Sequence, residues 1–433
     1  MVFAALHRIY TGFINPPQAR KQDDAIRFGL LGASNIAPVA LITPAKSHRE
    51  VIVASVAARD RSRAEVYAKK HGIPIVHSSY EDLLNDTSID AVYIALPNSL
   101  HFEWALRAIK AGKHVLLEKP SCSNAEEAKA LFNHPIVKAP NAPVLLEAFH
   151  YLFHPAWQTY MSLIHDDALS GPVKHAHAQQ YLFKGVIPPD DIRWRYDLGG
   201  GAMMDFGTYT VSCLRQMMRE EPSEVIKTEW RAVPGSRSDQ AESQQIDQAM
   251  NATYRMESGA TGTIIADLSS SGSWPLLPAS WSKSLPSIGW PKCEAELGEK
   301  EVESSESTDG GKHFVQRKMK LWNHLAPSVY HRIDVEDTHS IRRDGTLLRT
   351  WKESRNLKSY SWPSGDKVKS AGEDWWTSYH CQLHEFVNRI KGREGSGVWV
   401  DGDDSIKQME AIDQTYEKAG MKVRPTSKFE LSV

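Results

Sequence analysis

The chain has 433 residues, 41% hydrophobic and 24% charged, with a formal net charge of −2. That length holds two or three domains, and the composition excludes both a disordered chain and a basic surface for nucleic acid or anionic lipid. No apolar run approaches the roughly 20 residues needed to span a bilayer. The four cysteines, Cys122, Cys213, Cys293 and Cys381, are scattered far apart, which is neither a zinc spacing nor a dense disulfide framework. Reduced thiols in the cytoplasm and no bound metal are the expectation.

Residues 1–25 read as a docked N-terminal extension, with a targeting segment as the alternative. From 26 to 150 strands and helices alternate. Arg27 to Leu31 is a short apolar strand, Ile36 to Ala45 reads helical, and Val51 to Ala57 is a second strand. Arg61 to His71 is a helix stopped by Gly72, and Ile89 to Leu96 is a strand. The helix His101 to Ala111 stops at Gly112, before the strand Val115 to Leu117. Ser123 with Glu126 predicts a capping box for the helix Ala125 to Phe132, and Val144 to Ala148 closes the series. Strands alternating with short helices define a parallel, doubly wound sheet.

Residues 151–433 differ in character. Val173 to Leu182, Val225 to Ala232, Gln248 to Met256 and Thr261 to Leu268 alternate in period two, which predicts a large antiparallel sheet. Residues 270–312, rich in Ser, Pro, Gly and Glu, read as a long insertion. Trp375 to Ile390 and Ser405 to Ala419, with Gly420 as stop, are helical. The expected fold is α/β: an N-terminal Rossmann parallel sheet followed by an α+β domain with a large, mostly antiparallel sheet.

The first strand runs into Gly32-Ala33-Ser34-Asn35-Ile36-Ala37. This is a degraded dinucleotide fingerprint in which Gly32 allows the tight turn and Ala37 the close helix–strand packing. Ser34 replaces the glycine that lets backbone approach pyrophosphate, and its hydroxyl can itself donate to phosphate at the helix N-terminus. After the second strand comes Ala57-Ala58-Arg59-Asp60 rather than a lone carboxylate for a ribose 2′-hydroxyl. Arg59 offers a planar fork to a 2′-phosphate, so NADP is expected over NAD, with NAD possible. The alternative is a surface arginine, with Asp60 capping the next helix.

Val115 to Pro120 is an apolar run ending in Glu118-Lys119-Pro120, and ligands of open α/β sheets sit at such strand ends. Lys119 is therefore the first candidate for chemistry, and a lysine snorkelling from a strand end is the alternative. With Gly32 to Ala37, Ala95-Leu96-Pro97-Asn98 with His101, and Gly199-Gly200-Gly201-Ala202-Met203-Met204-Asp205-Phe206-Gly207-Thr208-Tyr209, the chain resembles the glucose–fructose oxidoreductase/inositol dehydrogenase (Gfo/Idh/MocA) family. Within it, the chain resembles the branch of dimeric dihydrodiol dehydrogenases and NADP-dependent D-xylose dehydrogenases.

The resemblance implies Lys119 beside the nicotinamide with Tyr209 facing it, and Leu96, Pro97, Asn98, His101 and Glu118 around the cofactor. A tyrosine of ordinary pKa is a poor base at neutral pH, and a nearby ammonium favours its phenolate. Asp205, one helical turn before Tyr209, is expected to orient the substrate or Lys119. In Glu147-Ala148-Phe149-His150-Tyr151-Leu152-Phe153-His154, the likeness implies Glu147 near the nicotinamide and Tyr151 or His154 near the sugar. A packing role for His150 is as open as any other. Arg193 and Trp194, after Asp191, supply polar and stacking contacts to a polyol, or else belong to a surface loop.

The implied activity is NADP-dependent oxidation of a sugar, D-xylose to its lactone, or of a trans-dihydrodiol. A sugar–sugar oxidoreductase that keeps its cofactor and a non-catalytic NADP sensor are the alternatives. The expected partners are a small sugar or diol, with a homodimer through the open sheet face a family-based expectation.

Overall fold

The computed structural model describes residues 2–233, 246–272, 277–282, 285, 290–303, 311–362 and 372–431. The strands β1 Ile26–Leu31, β2 Val51–Ala57, β3 Ile75–Val76, β4 Ala91–Ile94, β5 His114–Leu117 and β6 Leu145–Glu147 form a sheet in the order β3-β2-β1-β4-β5-β6. Every pairing in it is parallel. β4 is buried along its whole length, as a strand covered on both faces must be. The order reverses between β1 and β4, and open α/β sheets place their ligands at such a switch point.

The second sheet uses β7 Val173–Phe183, β8 Pro222–Ala232, β9 Asp247–Met256, β10 Thr261–Ser270, β11 Lys292–Leu297, β12 Lys300–Val302, β13 Lys312–Trp322, β14 Arg332–Arg343 and β15 Thr346–Leu357. Its path is β15-β14-β13-β11-β7-β10-β9-β8, with β12 on β13. Only β7 with β10 is parallel. Strands β7, β10 and β13 alternate buried with partly exposed positions, so one face is covered and the other is open. Part of the expected insertion over 270–312 lies outside the described residues. The rest departs from that expectation, because β11 pairs with both β7 and β13 in the middle of the sheet.

Local chemistry explains the ends of elements. Asp60 accepts hydrogen bonds from the amides of Ser62 and Arg63, starting the helix Arg61–His71, and Gly72 closes it at φ 69°. The predicted capping box is displaced by one residue. Asn124 caps the helix Ala125–Phe132 through Glu127 N, while Glu127 Oε2 accepts from Ser123 N. In the N-terminal segment, Arg8 Nε donates to Ser328 O at 3.0 Å and the guanidinium lies 3.7 Å from the Tyr360 ring centroid.

The linear division at residue 150 is not the spatial one. The helix Ser378–Ile390 returns to the first sheet, where the Phe386 ring lies 6.0 Å from that of Phe28. Asn124 Nδ2 donates to Arg424 O at 2.9 Å, tying the last described segment to the same domain. Apolar burial is non-directional, so a core is completed by whatever part of the chain reaches it.

Candidate active site

The nucleotide crevice starts at Gly32, whose φ of 102° favours glycine. A Cβ there would press on Ala95 O and Leu96 Cδ2, both at 3.1 Å. Ser34 Oγ accepts from Ala37 N at 3.2 Å and Tyr67 OH donates to Ser34 O at 2.9 Å, fixing the turn, while Asn35 and Ile36 remain exposed. Beyond them a π-helical turn, Pro38–Ile42, leads into the helix Thr43–Ser47. Arg59 is exposed at the end of β2, next to the capping Asp60. A tight turn without side-chain bulk, opening onto a helix start with a free guanidinium beside it, fits a dinucleotide.

His101 is buried, with Nδ1 2.8 Å from Pro120 O and Nε2 3.0 Å from Leu96 O. It clamps the end of β5 to the loop after β4 rather than reaching into the crevice. Burial pushes its pKa down to about 4 although both carbonyls favour the charged ring. Glu118 also differs from its expected place on the cofactor. Its buried carboxyl accepts a short hydrogen bond from Tyr93 OH, and burial raises its pKa. Asn98 Nδ2 donates to Gly199 O at 2.8 Å, joining the first domain to the triple-glycine turn.

That turn explains its own composition. Gly199 has φ 72° and Gly201 φ 125°. A Cβ on Gly201 would collide with Asp247 and Arg424, and one on Gly200 with Arg193 O. Arg424 and Asp247 are fully buried and paired at 2.6 Å, Tyr416 OH donates to Asp247 Oδ1 at 3.0 Å, and Asp247 Oδ2 accepts from Met203 N at 2.6 Å. This network anchors the π-helical turn Met203–Gly207 that runs into the helix Thr208–Met218.

Asp205 and Tyr209 therefore face Lys119. Lys119 Nζ lies 2.5 Å from Asp205 Oδ1, 3.2 Å from Asp205 O and 4.5 Å from the Tyr209 ring centroid. Asp205 Oδ2 accepts from Arg193 Nε at 2.6 Å, and Arg193 Nη1 donates to Asp191 Oδ1 at 3.0 Å. Burial alone would raise the Asp205 pKa, but Lys119 and Arg193 outweigh it and hold the carboxyl well below the usual range. The Lys119 and Asp205 side chains keep 11% and 13% of their surface, so the pair borders an opening rather than a sealed core.

Tyr209 departs from the phenolate expectation. The ammonium sits over its ring, engaged by Asp205, while the hydroxyl lies 3.1 Å from His150 Nε2. Burial, with Tyr379, Glu118 and Asp205 adding to it, pushes the phenol well above its ordinary value. His150 Nδ1 lies 2.8 Å from Ser378 Oγ, and its ring stacks on Tyr379 at 4.0 Å. Burial lowers the His150 pKa to about 3, so the neutral ring bridges Tyr209 and Ser378.

The structure separates the other candidates from this cluster. Tyr151 is fully buried with its hydroxyl 2.8 Å from Ser212 Oγ, and His154 is fully buried as the cap of the helix Pro155–His165. Neither faces the opening, which corrects their assignment to the sugar. Trp194 is half-buried, its Nε1 donating to Pro188 O at 2.8 Å. Glu147 Oε1 accepts from Ser121 N at 2.8 Å, bracing the segment after Pro120. Sequence reasoning missed Ser378 and Tyr379, which carry no local signal, and left the role of His150 open.

Burial raises the Glu147 pKa to about 7. A carboxyl that keeps its proton in the fold stabilises below its unfolded pKa and loses that contribution as pH rises through the folded one. Wild type is therefore expected to lose about 3 kcal/mol of stability relative to Glu147→Gln between pH 4.5 and 7. Urea unfolding of both proteins at the two pH values measures the difference, and parallel pH profiles would refute it.

Fold and site together define a nucleotide-binding oxidoreductase with a lysine–tyrosine pair at the domain junction. The chain belongs to the Gfo/Idh/MocA family: residues 26–136 match its oxidoreductase model with an NAD-binding Rossmann fold, and 157–278 match its C-terminal domain. D-xylose 1-dehydrogenase (NADP(+)) 2 of Haloferax volcanii is 37% identical over 55% of this chain and 68% of its own length. Trans-1,2-dihydrobenzene-1,2-diol dehydrogenase of Xenopus tropicalis is 32% identical over 47% and 59%. The chain aligns with little more than half the length of most of these curated relatives. A 3-ketoreductase from Actinomadura kijaniata, solved with NADP and TDP-benzene, shares the fold at TM-score 0.64 and 22% identity, covering 92% of this chain and 98% of that one.

Proposed function

We propose that this chain is an NADP-dependent sugar dehydrogenase that oxidises an aldopyranose, D-xylose first among them, at its anomeric carbon to the 1,5-lactone. The observation that carries the reading is Lys119 Nζ held between the Asp205 carboxylate and the face of Tyr209. Bound NADP supplies the hydride acceptor. Lys119 places a positive charge where the substrate oxygen gains negative character, and Asp205 fixes its position. Tyr209 is the proton-exchanging group: its phenol gives a proton to a carbonyl in reduction, and its minor phenolate form takes one from the sugar hydroxyl in oxidation. The 37% identity to an enzyme named for D-xylose and NADP(+) favours this substrate and cofactor.

NADP reduction measured across a panel of aldoses tests the reading, with xylose expected among the best. Tight NADP binding without turnover of any sugar would favour a sensor, and turnover only with paired sugars and unremovable cofactor would favour a sugar–sugar oxidoreductase. Arg59→Ala is expected to weaken NADP binding about tenfold or more, through loss of a charge-assisted contact worth about 1.5–3 kcal/mol, with little effect on NAD. Calorimetric titration of both cofactors checks it, and equal losses would remove Arg59 from the 2′-phosphate.

A further inference from the structure

Three side chains far apart in sequence meet beneath the catalytic helix. Cys213 lies on that helix one turn beyond Tyr209, Cys293 on β11, and His324 just after β13. All three are buried to within 1% of full coverage, and one ligand atom from each lies within 4.8 Å of the others. Cys293 Sγ is 3.5 Å from His324 Nδ1. Around a tetrahedral zinc with ordinary bond lengths, sulfur and nitrogen stand about 3.6 Å apart and two sulfurs about 3.8 Å. The cluster therefore needs little movement to close on an ion.

The support around it is preorganised. Asn323, at φ 58°, receives no help from glycine, yet its amide N donates to Pro291 O at 2.7 Å and its side chain to Ala326 O and Tyr330 O at 3.0 and 2.7 Å. The loop carrying His324 is thereby locked to the start of the strand carrying Cys293. The Tyr151 hydroxyl is bonded at 2.8 Å to Ser212 Oγ, on the residue next to Cys213, and is close enough to Cys213 to interact with it electrostatically. Two thiolates and a neutral imidazole cancel a divalent charge, which a dry interior requires.

We propose that Cys213, Cys293 and His324 bind one structural zinc ion, with the Tyr151 hydroxyl or a water completing four-coordination. Both thiols release their protons to solvent on binding, and the thiolates with the imidazole form the bonds to zinc without change of oxidation state. The site departs from the expectation of no metal because folding, not spacing, assembles it. It is independent of the sugar chemistry proposed above. Its effect is to fasten the helix that presents Tyr209 to the centre of the second sheet.

The test is metal analysis of the intact protein, purified without chelators from zinc-supplemented culture, followed by cobalt substitution. One zinc per chain is expected, and the cobalt form is expected to show intense tetrahedral visible bands with thiolate charge transfer in the near ultraviolet. Cys293→Ala is expected to abolish both while Cys381→Ala, a distant cysteine, leaves them intact. Should Cys293→Ala fail to fold, removal of zinc from wild type with a strong chelator still reads the site as a lowered Tm that added zinc restores. Substoichiometric metal, weak octahedral cobalt bands, spectra unchanged by Cys293→Ala or a Cys213–Cys293 disulfide in the native protein would each overturn the proposal.

Discussion

Lys119→Ala is expected to lower kcat roughly 10³-fold while NADP still binds measurably by calorimetry. The magnitude is that of removing one preorganised charge or proton-transfer partner from a water-poor site. Two consequences of the geometry make this loss large. Arg193, the other described cation on Asp205, does not replace the ammonium, because it reaches the opposite oxygen and is itself held by Asp191. Its removal also leaves the Asp205 carboxylate facing the substrate with one cationic partner fewer, which adds repulsion where negative charge develops. Turnover within a few-fold of wild type would exclude Lys119 from the chemistry.

Tyr209→Phe is expected to cost about 10²- to 10⁴-fold in kcat with little change in KM, and about 1–3 kcal/mol of stability because buried His150 Nε2 loses its partner. The ring contacts to Phe149 and the cation over its face survive the substitution, so only the hydroxyl is lost. Steady-state kinetics and thermal melts separate these effects, and a variant that keeps activity would assign proton transfer elsewhere. The pH dependence follows from the phenol's upward shift. Below that raised pKa the basic form is a minor species whose fraction grows tenfold per pH unit. Wild-type kcat/KM for oxidation is therefore expected to climb steadily from neutral pH to about 9, and the Phe variant to flatten. A plateau near neutrality in wild type would mean that the phenol is not the base.

The three residues proposed for the chemistry are legible in sequence because each sits where backbone chemistry leaves a mark. Lys119 ends a buried strand, and Asp205 and Tyr209 follow glycines whose backbone no other residue tolerates. Tyr151 and His154 were misplaced because sequence names a residue's chemistry but not which way a short 3₁₀ turn, here His150–Phe153, directs it. Ser378 reaches His150 from a helix 228 positions away, a contact that no local pattern encodes. The same holds for the fold. Asp60 and Gly72 announce the helix between them, whereas β15, exposed along nearly all its length, lacks an alternating apolar face to betray it.

The return of the helix Ser378–Ile390 to the first sheet has a consequence for biogenesis. The Phe28 ring lacks its Phe386 neighbour on the ribosome until the chain has been made as far as that helix. The nucleotide-binding half thus draws part of its core from chain made after the second sheet, whereas N-terminal domains usually fold as complete units during synthesis. The serine and tyrosine that flank His150 arrive with that same late segment.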